Sequence, residues 1–338
     1  MMLENYWYIG CLSKELKAGP VATEILKKRI VLYRATGGHA IALEDRCAHR
    51  NVRLSQGSVC GDNIQCPYHG WQYGFDGELK QIPSIPDKAS APPAINIRKY
   101  HCVEQNGYIW VCLSDTLGEK KPRMFPYLGD KGWTSFRMKT RFKAPVESCL
   151  ENFLDCPHAT YVHKGWFRSP TDKLVKATVR RLSDGAEAEY FEEPRVRSLV
   201  WSFLSPKKSE MRHTDRFIAP STSQVNYIFS SGLHYIITSV CTPVSDKETE
   251  VYTVISFKYG WLGPLIRLFF EPLSRIIIKQ DVRMLDAQYE NIEKHGEPIF
   301  AVIESDLLWP HIIQWRNAMK NGELPENDKN EKHVQFRL

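Results

Sequence analysis

At 338 residues, with 43% hydrophobic and 25% charged residues, the chain has room for about two globular domains and the composition of a folded protein. A net charge of +6, spread over scattered lysines and arginines, excludes a nucleic-acid binder and leaves a mildly basic surface suited to an acidic protein partner. Nine cysteines, an odd number at low density, exclude a secreted disulfide scaffold and point to reduced thiols, a few of them free to bind metal.

The opening Met1-Met2-Leu3-Glu4-Asn5-Tyr6-Trp7 lacks the charged and apolar regions of a signal peptide. The longest apolar run, Trp261 to Phe270, is too short to cross a bilayer and holds Arg267, so no membrane span and a cytoplasmic protein are expected.

Residues 5 to 115 read as short strands joined by tight turns. Arg29 to Ala35 and Ala40 to Glu44 form a hairpin around Thr36-Gly37-Gly38, and Asp76-Gly77 and Asn106-Gly107 are further hairpin turns. No helical period interrupts them, which predicts an all-β domain over 1–115. Within it lie Cys47-Ala48-His49 and, sixteen residues on, Cys66-Pro67-Tyr68-His69-Gly70-Trp71. Each half offers a thiolate and an imidazole on a tight loop. Such a set suits a tetrahedral zinc or a Rieske 2Fe-2S centre with two Cys on one iron and two His on the other. Zinc knuckles replace the core of a small module, whereas these loops cap a domain of ordinary size, which favours iron–sulfur. Cys60 has no paired histidine and reads as structural.

Residues 116 to 146, with Pro122, Pro126, Gly129, Gly132 and Pro145, read as a linker into a second domain over 116–338. There Glu151, Asp155, His158 and His163 fall within thirteen residues. A helix from Glu147 stacks the first three on one face, and Pro157 ends or kinks it so that His163 swings round to the same point. Two imidazoles with a carboxylate beside the first suit a divalent transition metal. Alternating segments then predict one large antiparallel sheet: 177–181, 187–191, 198–204, 212–219, 225–229, 233–240 and 249–257. Glu271-Pro272 reads as a helix start. Beyond it Ile277, Asp281, Met284, Leu285 and Gln288 share a face, which makes Asp281 a carboxylate on an apolar stripe, costly unless paired or bound to metal. Asp286 points elsewhere, toward solvent. Ser305 to Met319 is expected to be a terminal helix, and the charged tail from Asn321 a solvated segment. Phe153, Tyr161, Trp166, Phe167, Trp201, Phe203 and Phe217 are aromatic candidates for a substrate pocket. His101, His213 and His234 read as lone structural histidines in strands.

Together, Cys47-x-His49-x16-Cys66-x2-His69 and Glu151-x3-Asp155-x2-His158-x4-His163 resemble the oxygenase components of the Rieske non-haem iron oxygenases, over nearly the whole chain. Asn5-Tyr6-Trp7-Tyr8 and Gly107-Tyr108-Ile109-Trp110-Val111 resemble the shorter members, such as vanillate and dicamba O-demethylases and toluenesulfonate methyl-monooxygenase. Gln81-Ile82-Pro83 to Asp87, with Tyr100-His101-Cys102, is similar to the saxitoxin-pathway hydroxylases. The resemblance implies an α+β fold, a Rieske domain followed by a helix-grip domain in which helices cover the large sheet. It implies a Rieske cluster on Cys47, His49, Cys66 and His69, and mononuclear Fe(II) on His158, His163 and Asp281. In the family the electron crosses between subunits of a homotrimer, here from His69 of one chain through Asp155 of its neighbour to His158. Glu151 matches a position that carries a carboxylate or amide near the iron, either tuning the site or anchoring the helix.

The implied activity is hydroxylation or oxidative dealkylation of an aromatic or polycyclic small molecule, with O2 and electrons from NAD(P)H. No Gly-rich dinucleotide fingerprint follows a strand, so a separate reductase or ferredoxin must deliver them. Ring dihydroxylation or desaturation would use the same ligands. Two other classes remain open: a Rieske electron carrier without catalytic iron, and a zinc-stabilised binding module.

Overall fold

The structure, a computed structural model, describes residues 3–17, 19–85, 95–117, 121–166, 170, 172–191, 209–325 and 331–337. The chain divides into two compact units, Met2–Met124 and Phe125–Leu338.

Among the described residues the first unit has ten strands. A six-stranded antiparallel sheet runs in the order β1 (Tyr8–Leu12), β10 (Tyr108–Cys112), β9 (Lys99–Gln105), β4 (Ala40–Glu44), β3 (Lys28–Arg34) and β2 (Val21–Ile25). A four-stranded sheet follows chain order from β5 (Ser58–Cys60) through β6 (Asn63–Gln65) and β7 (Gln72–Tyr73) to β8 (Leu79–Gln81). One core of this unit joins Val31, Tyr33, Leu43, Ile64 and Tyr73 to Cys47 and Cys66, so both thiols are rooted in packed side chains. The segment entering β5 lies so close to β6 that a Cβ at Gly57 would overlap the carbonyl of Gln65, which only glycine allows.

The second unit centres on an eight-stranded antiparallel sheet, in the order β11 (Thr134–Phe142), β17 (Thr249–Lys258), β16 (His234–Pro243), β15 (Thr222–Phe229), β14 (Met211–Ile218), β13 (Gly185–Phe191), β12 (Leu174–Leu182) and β18 (Lys332–Arg337). Helices α1 (Val146–Leu154), α3 (Gly263–His295) and α4 (Trp309–Lys320) pack on it, and α2 (His158–Tyr161) is a single turn. The fold is therefore the expected α+β arrangement of an all-β unit and a large sheet covered by helices. Val146, Cys149, Leu150 and Leu154 form the buried stripe of α1, at the spacing that aligns one helical face.

The second unit departs from the sequence reading in five places. The stretch read as linker contains β11, whose Phe136, Met138 and Phe142 alternate inward against β17; its flanking prolines and glycines mask that period. The tail contains β18, where Val334 and Phe336 alternate with exposed polar residues suited to a sheet edge. Helix α3 starts at Gly263, with Pro264 in its first turn, and runs through Pro272. Pro272 is exposed, and so is Leu268, whose carbonyl would otherwise accept the missing hydrogen bond, so the lost bond falls on the solvent side of the helix. The buried stripe of α3 is Phe270, Ser274, Asp281 and Leu285, and Met284 is exposed; Asp286 is not simply solvated but accepts the backbone N–H of Lys143 at 3.0 Å. Helix α4 begins four residues later than expected, at Trp309. The expected strand over 198–204, with Trp201 and Phe203, and also Phe167 and Asp87, lie outside the described residues.

Candidate active site: two metal-binding constellations

In the first unit, the Cys47–Val52 and Cys66–Trp71 loops are copies of one turn. Cys47 N–H donates to Val52 O and Asn51 N–H to Cys47 O, both at 2.8 Å. Cys66 N–H donates to Trp71 O at 2.8 Å and Gly70 N–H to Cys66 O at 3.2 Å. The fourth residue after each cysteine, Asn51 or Gly70, takes a positive φ, +61° or +72°, in the region that Asn and Gly enter most readily. The turns bring His49 and His69 together, with ring centroids 4.5 Å apart, and Trp71 stacks flat on His49 at 4.7 Å.

Both cysteines are buried and outside any disulfide. Burial is the largest influence on the Cys66 thiol and raises its pKa; a bound metal would have to overcome this. Burial, His69 and Arg50 together lower the pKa of His49, favouring the neutral ring that a metal needs. Nδ1 of His49 is buried and has no hydrogen-bond partner, an expensive state that a metal bond resolves. The Tyr73 hydroxyl accepts the Ala48 N–H at 3.0 Å and lies 3.4 Å from Cys47 Sγ, placed to donate its proton to sulfur. This donor set fits an iron–sulfur cluster bound by two Cys and two His.

In the second unit, α1 ends at Leu154, and Asp155 turns the chain in extended conformation, before Pro157 is reached. Its carboxylate accepts the His158 backbone N–H at 3.1 Å, an N-cap-type bond for the following turn. The His158 ring points Nδ1 at the carbonyl of Asp155 and, 3.5 Å away, at its carboxylate. Since both are acceptors, Nδ1 carries the proton and Nε2 is a bare lone pair. Burial opposes charge on His158, but its bonds to Asp155 and the field of Asp155 and Asp281 outweigh it and raise the pKa. His163 is fixed in the same way, its Nδ1 directed at Gln280 Oε1 at 2.8 Å.

The two Nε2 atoms face Oδ1 of Asp281, His163 at 3.0 Å and His158 at 3.7 Å. One ligand atom from each of the three residues lies within 4.8 Å of the others. Asp281 is 4% exposed, and its Oδ1 accepts no hydrogen bond. With both rings neutral, three acceptor atoms turn on one another in a buried place, a repulsion that a positive charge between them, a proton or a metal ion, relieves. Two imidazoles and one carboxylate suit non-haem Fe(II) with open positions.

The triad opens on a cavity of about 140 Å³, lined by the inner face of the sheet and by α1, α2 and α3. Phe153 lines it, but Tyr161 is 71% exposed, Phe217 belongs to the packed core, and neither is among the lining residues, which include Tyr227 and Tyr235. Glu151 lies outside this cavity, in a small cleft with Asp155, Asp306 and Trp309; burial first, then those two carboxylates, push its pKa up to about 7. Its neighbour Asn152 lines the cavity instead, with a buried Nδ2 that has no partner. Asn152 and Gln280 carried no motif of their own, although each adjoins a residue that did. His101 and His234 accept structural roles beside the Asp115 carbonyl and the Asn226 amide, while His213 is paired with Asp215 inside the cavity. Among the described residues no helix is long and apolar enough to cross a membrane.

Residues 6–100 match the Rieske [2Fe-2S] domain family, and residues 142–320 match the vanillate O-demethylase oxygenase C-terminal domain family. The chain belongs to the Rieske non-haem iron oxygenases, oxidoreductases that use O2 and pair an iron–sulfur cluster with non-haem iron.

Among its relatives, methylxanthine N1-demethylase of Pseudomonas putida is 30% identical over 302 residues, 85% of this chain and 81% of the relative. A putative toluene-4-sulfonate monooxygenase iron-sulfur subunit of Comamonas testosteroni is 29% identical over 55% of this chain and 53% of its own. Rice chlorophyllide a oxygenase is 26% identical over 97% and 60%. The chain thus spans little more than half the length of these last two. In fold it is similar to dicamba monooxygenase bound to dicamba, with a TM-score of 0.82 at 21% identity, covering 95% of this chain and 98% of that one.

Proposed function

We propose that the chain is the terminal oxygenase of a multicomponent system that hydroxylates or oxidatively dealkylates an aromatic or polycyclic small molecule. The observation that carries this reading is the convergence of three metal-ligating atoms, from His158, His163 and Asp281, at the wall of a mostly apolar cavity. An electron carrier has no use for such a cavity, and a zinc module has none for a second ligand set. Iron bound there would supply O2 activation, one oxygen atom passing to the substrate and the other leaving as water.

The remaining work falls to the chain's own residues. Asp155 and Gln280 hold the two imidazoles in the tautomer that presents Nε2 to the metal. The apolar walls formed by Ile237, Ile255, Ile277 and Ile278 exclude water and hold an aromatic ring by contact. Cys47, Cys66, His49 and His69 hold the Rieske cluster.

Electrons come from NAD(P)H through a separate reductase or ferredoxin, and they pass between subunits of a homotrimer, from His69 of one chain to Asp155 and His158 of the next. Two features support this route: His69 is exposed at the tip of its loop, and the Asp155 side chain, 29% exposed, already touches His158. The test is iron and acid-labile sulfide per chain on anaerobically purified protein. About three iron to two sulfide is expected. About two to two, unchanged by added Fe(II), would overturn the oxygenase in favour of the carrier.

A further inference from the structure

The floor of the triad cavity is the inner face of the sheet, and the strand register arranges it in rows. One row runs Tyr190, His213, Tyr227, Tyr235 across β13 to β16, and the next runs Ala188, Asp215, Val225, Ile237. Asp215 is the one carboxylate that the sheet contributes to the cavity among the described residues. It is 3% exposed, and its Oδ1 meets His213 Nε2 at 3.0 Å. The His213 ring is clamped between Tyr190, at 4.4 Å, and Tyr227, at 4.2 Å, both within 17° of parallel. This stack fixes the imidazole edge toward Asp215. Oδ2 of Asp215 has no hydrogen-bond partner among the described residues.

Asp215 is buried as a residue and lines the cavity, so its second carboxylate oxygen is left to whatever fills the cavity, and without a donor there it costs more than an apolar side chain of the same shape. It is tolerable where a ligand completes it. Among the described residues no lysine or arginine lines the cavity, so apart from the metal proposed at the triad none of the described lining offers a cation to a second negative charge. The volume, about 140 Å³, is close to the ~150 Å³ of a cavity that takes up benzene.

Resting on the reading that this cavity receives the substrate, we infer that the substrate places a six-membered ring beside the triad, points an N–H or O–H donor at Asp215, and carries no negative charge. Asp215 thereby acts as a specificity-determining residue. It selects phenolic, amine, amide or carbinol substrates and disfavours aromatic carboxylates and sulfonates, whose charge would be buried against Asp215 with no lysine or arginine of the described lining to pair with it.

The experiment measures anaerobic equilibrium binding to the holoenzyme at about pH 7 with three probes: 4-methoxyphenol, 4-methylanisole and 4-methoxybenzoate. The first two differ only in hydroxyl against methyl, and the third is anionic. 4-Methoxyphenol is expected to bind about tenfold or more tighter than 4-methylanisole, as a hydrogen bond to a charged acceptor allows, and 4-methoxybenzoate more weakly than either. Asp215→Leu is expected to abolish the gap between the first two, and Asp215→Asn to narrow it. Equal binding of phenol and methylanisole, tightest binding of the benzoate, no binding of any probe, or a gap unchanged in Asp215→Leu would each overturn the inference. The wild-type ratio is decisive even where a variant fails to fold. No O2 turnover enters these measurements, so failure of the oxygenase reading, seen in the iron-to-sulfide ratio, is separately visible.

Discussion

The two candidate ligand sets of this chain are built by opposite means. Around Cys47 and Cys66, backbone does the work: the same two hydrogen bonds close each loop, and the Cys and His of each loop lie within four residues of one another. Around His158, His163 and Asp281, tertiary convergence does the work: the carbonyl and carboxylate of Asp155 orient one ring, the Gln280 side chain orients the other, and the carboxylate comes from α3, over a hundred residues away in sequence. A site made of converging side chains depends on every partner, because each removal leaves a buried polar atom behind.

The largest expected effect breaks the second set and leaves the first intact. Asp281→Ala removes the negative ligand, so iron is expected to fall from about three to about two per chain while sulfide and the visible cluster spectrum stay unchanged. Turnover with reductase is expected to fall below detection. Loss of sulfide together with iron would show that the two sets are not independent. Asp155→Ala comes next. It removes a carboxylate beside His158 but no proposed ligand, so both metals are expected to stay while turnover falls by about a hundredfold or more, the upper range for a residue supporting a ligand. Full turnover in that variant would remove Asp155 from the electron path.

The loops offer the reverse test. Gly70→Ala places a Cβ 2.9 Å from Pro83 Cγ on a backbone at φ +72°, and is expected to cost about 2 kcal/mol and lower the midpoint at which denaturant bleaches the cluster. Asn51→Gly, at the equivalent place in the other loop, already meets the same backbone demand and is expected to shift that midpoint by less than about 0.5 kcal/mol. Equal effects at the two positions would mean that the loops are not interchangeable turns.

This contrast also explains what could be read from the sequence. Loop ligands are local, so the Cys/His spacing is visible in the chain itself, as is the alternation behind β12 to β17. Strands β11 and β18 were hidden, one by prolines and glycines on either side and the other because only Val334 and Phe336 turn inward. Helix periodicity put Asp281 on an apolar stripe, but its pairing with His158 and His163 is a tertiary fact, reached beforehand only through resemblance. Asn152, Gln280 and the His213–Asp215 pair were beyond reach, since their meaning lies in what they face across the cavity. His213 in particular reads as a lone histidine until the strand turns Asp215, two residues on, to the same side of the sheet.

The smallest effect sharpens the comparison by pH. The cleft beside the triad holds Glu151, Asp155 and Asp306 together, a concentration of carboxylates on the second ligand set's side. Burial and the neighbouring charges raise the Glu151 pKa from 4.5 to about 7, so the fold resists its ionisation. In the unfolded chain the group ionises near 4.5, so the penalty is absent below that pH, grows between about 4.5 and 7, and is constant above. Glu151→Gln removes the ionisation. Unfolding of the second unit, followed with denaturant, is expected to show no gain at pH 4.5 and a gain on the order of 1 kcal/mol at pH 8, discounted from the full shift because Glu151 is partly exposed and His158 offsets part of it. A gain of the same size at both pH values would mean that amide and carboxyl differ here in packing or hydrogen bonding and not in charge. Glu151 would then be an anchor of α1 rather than part of the electrostatics around Asp155.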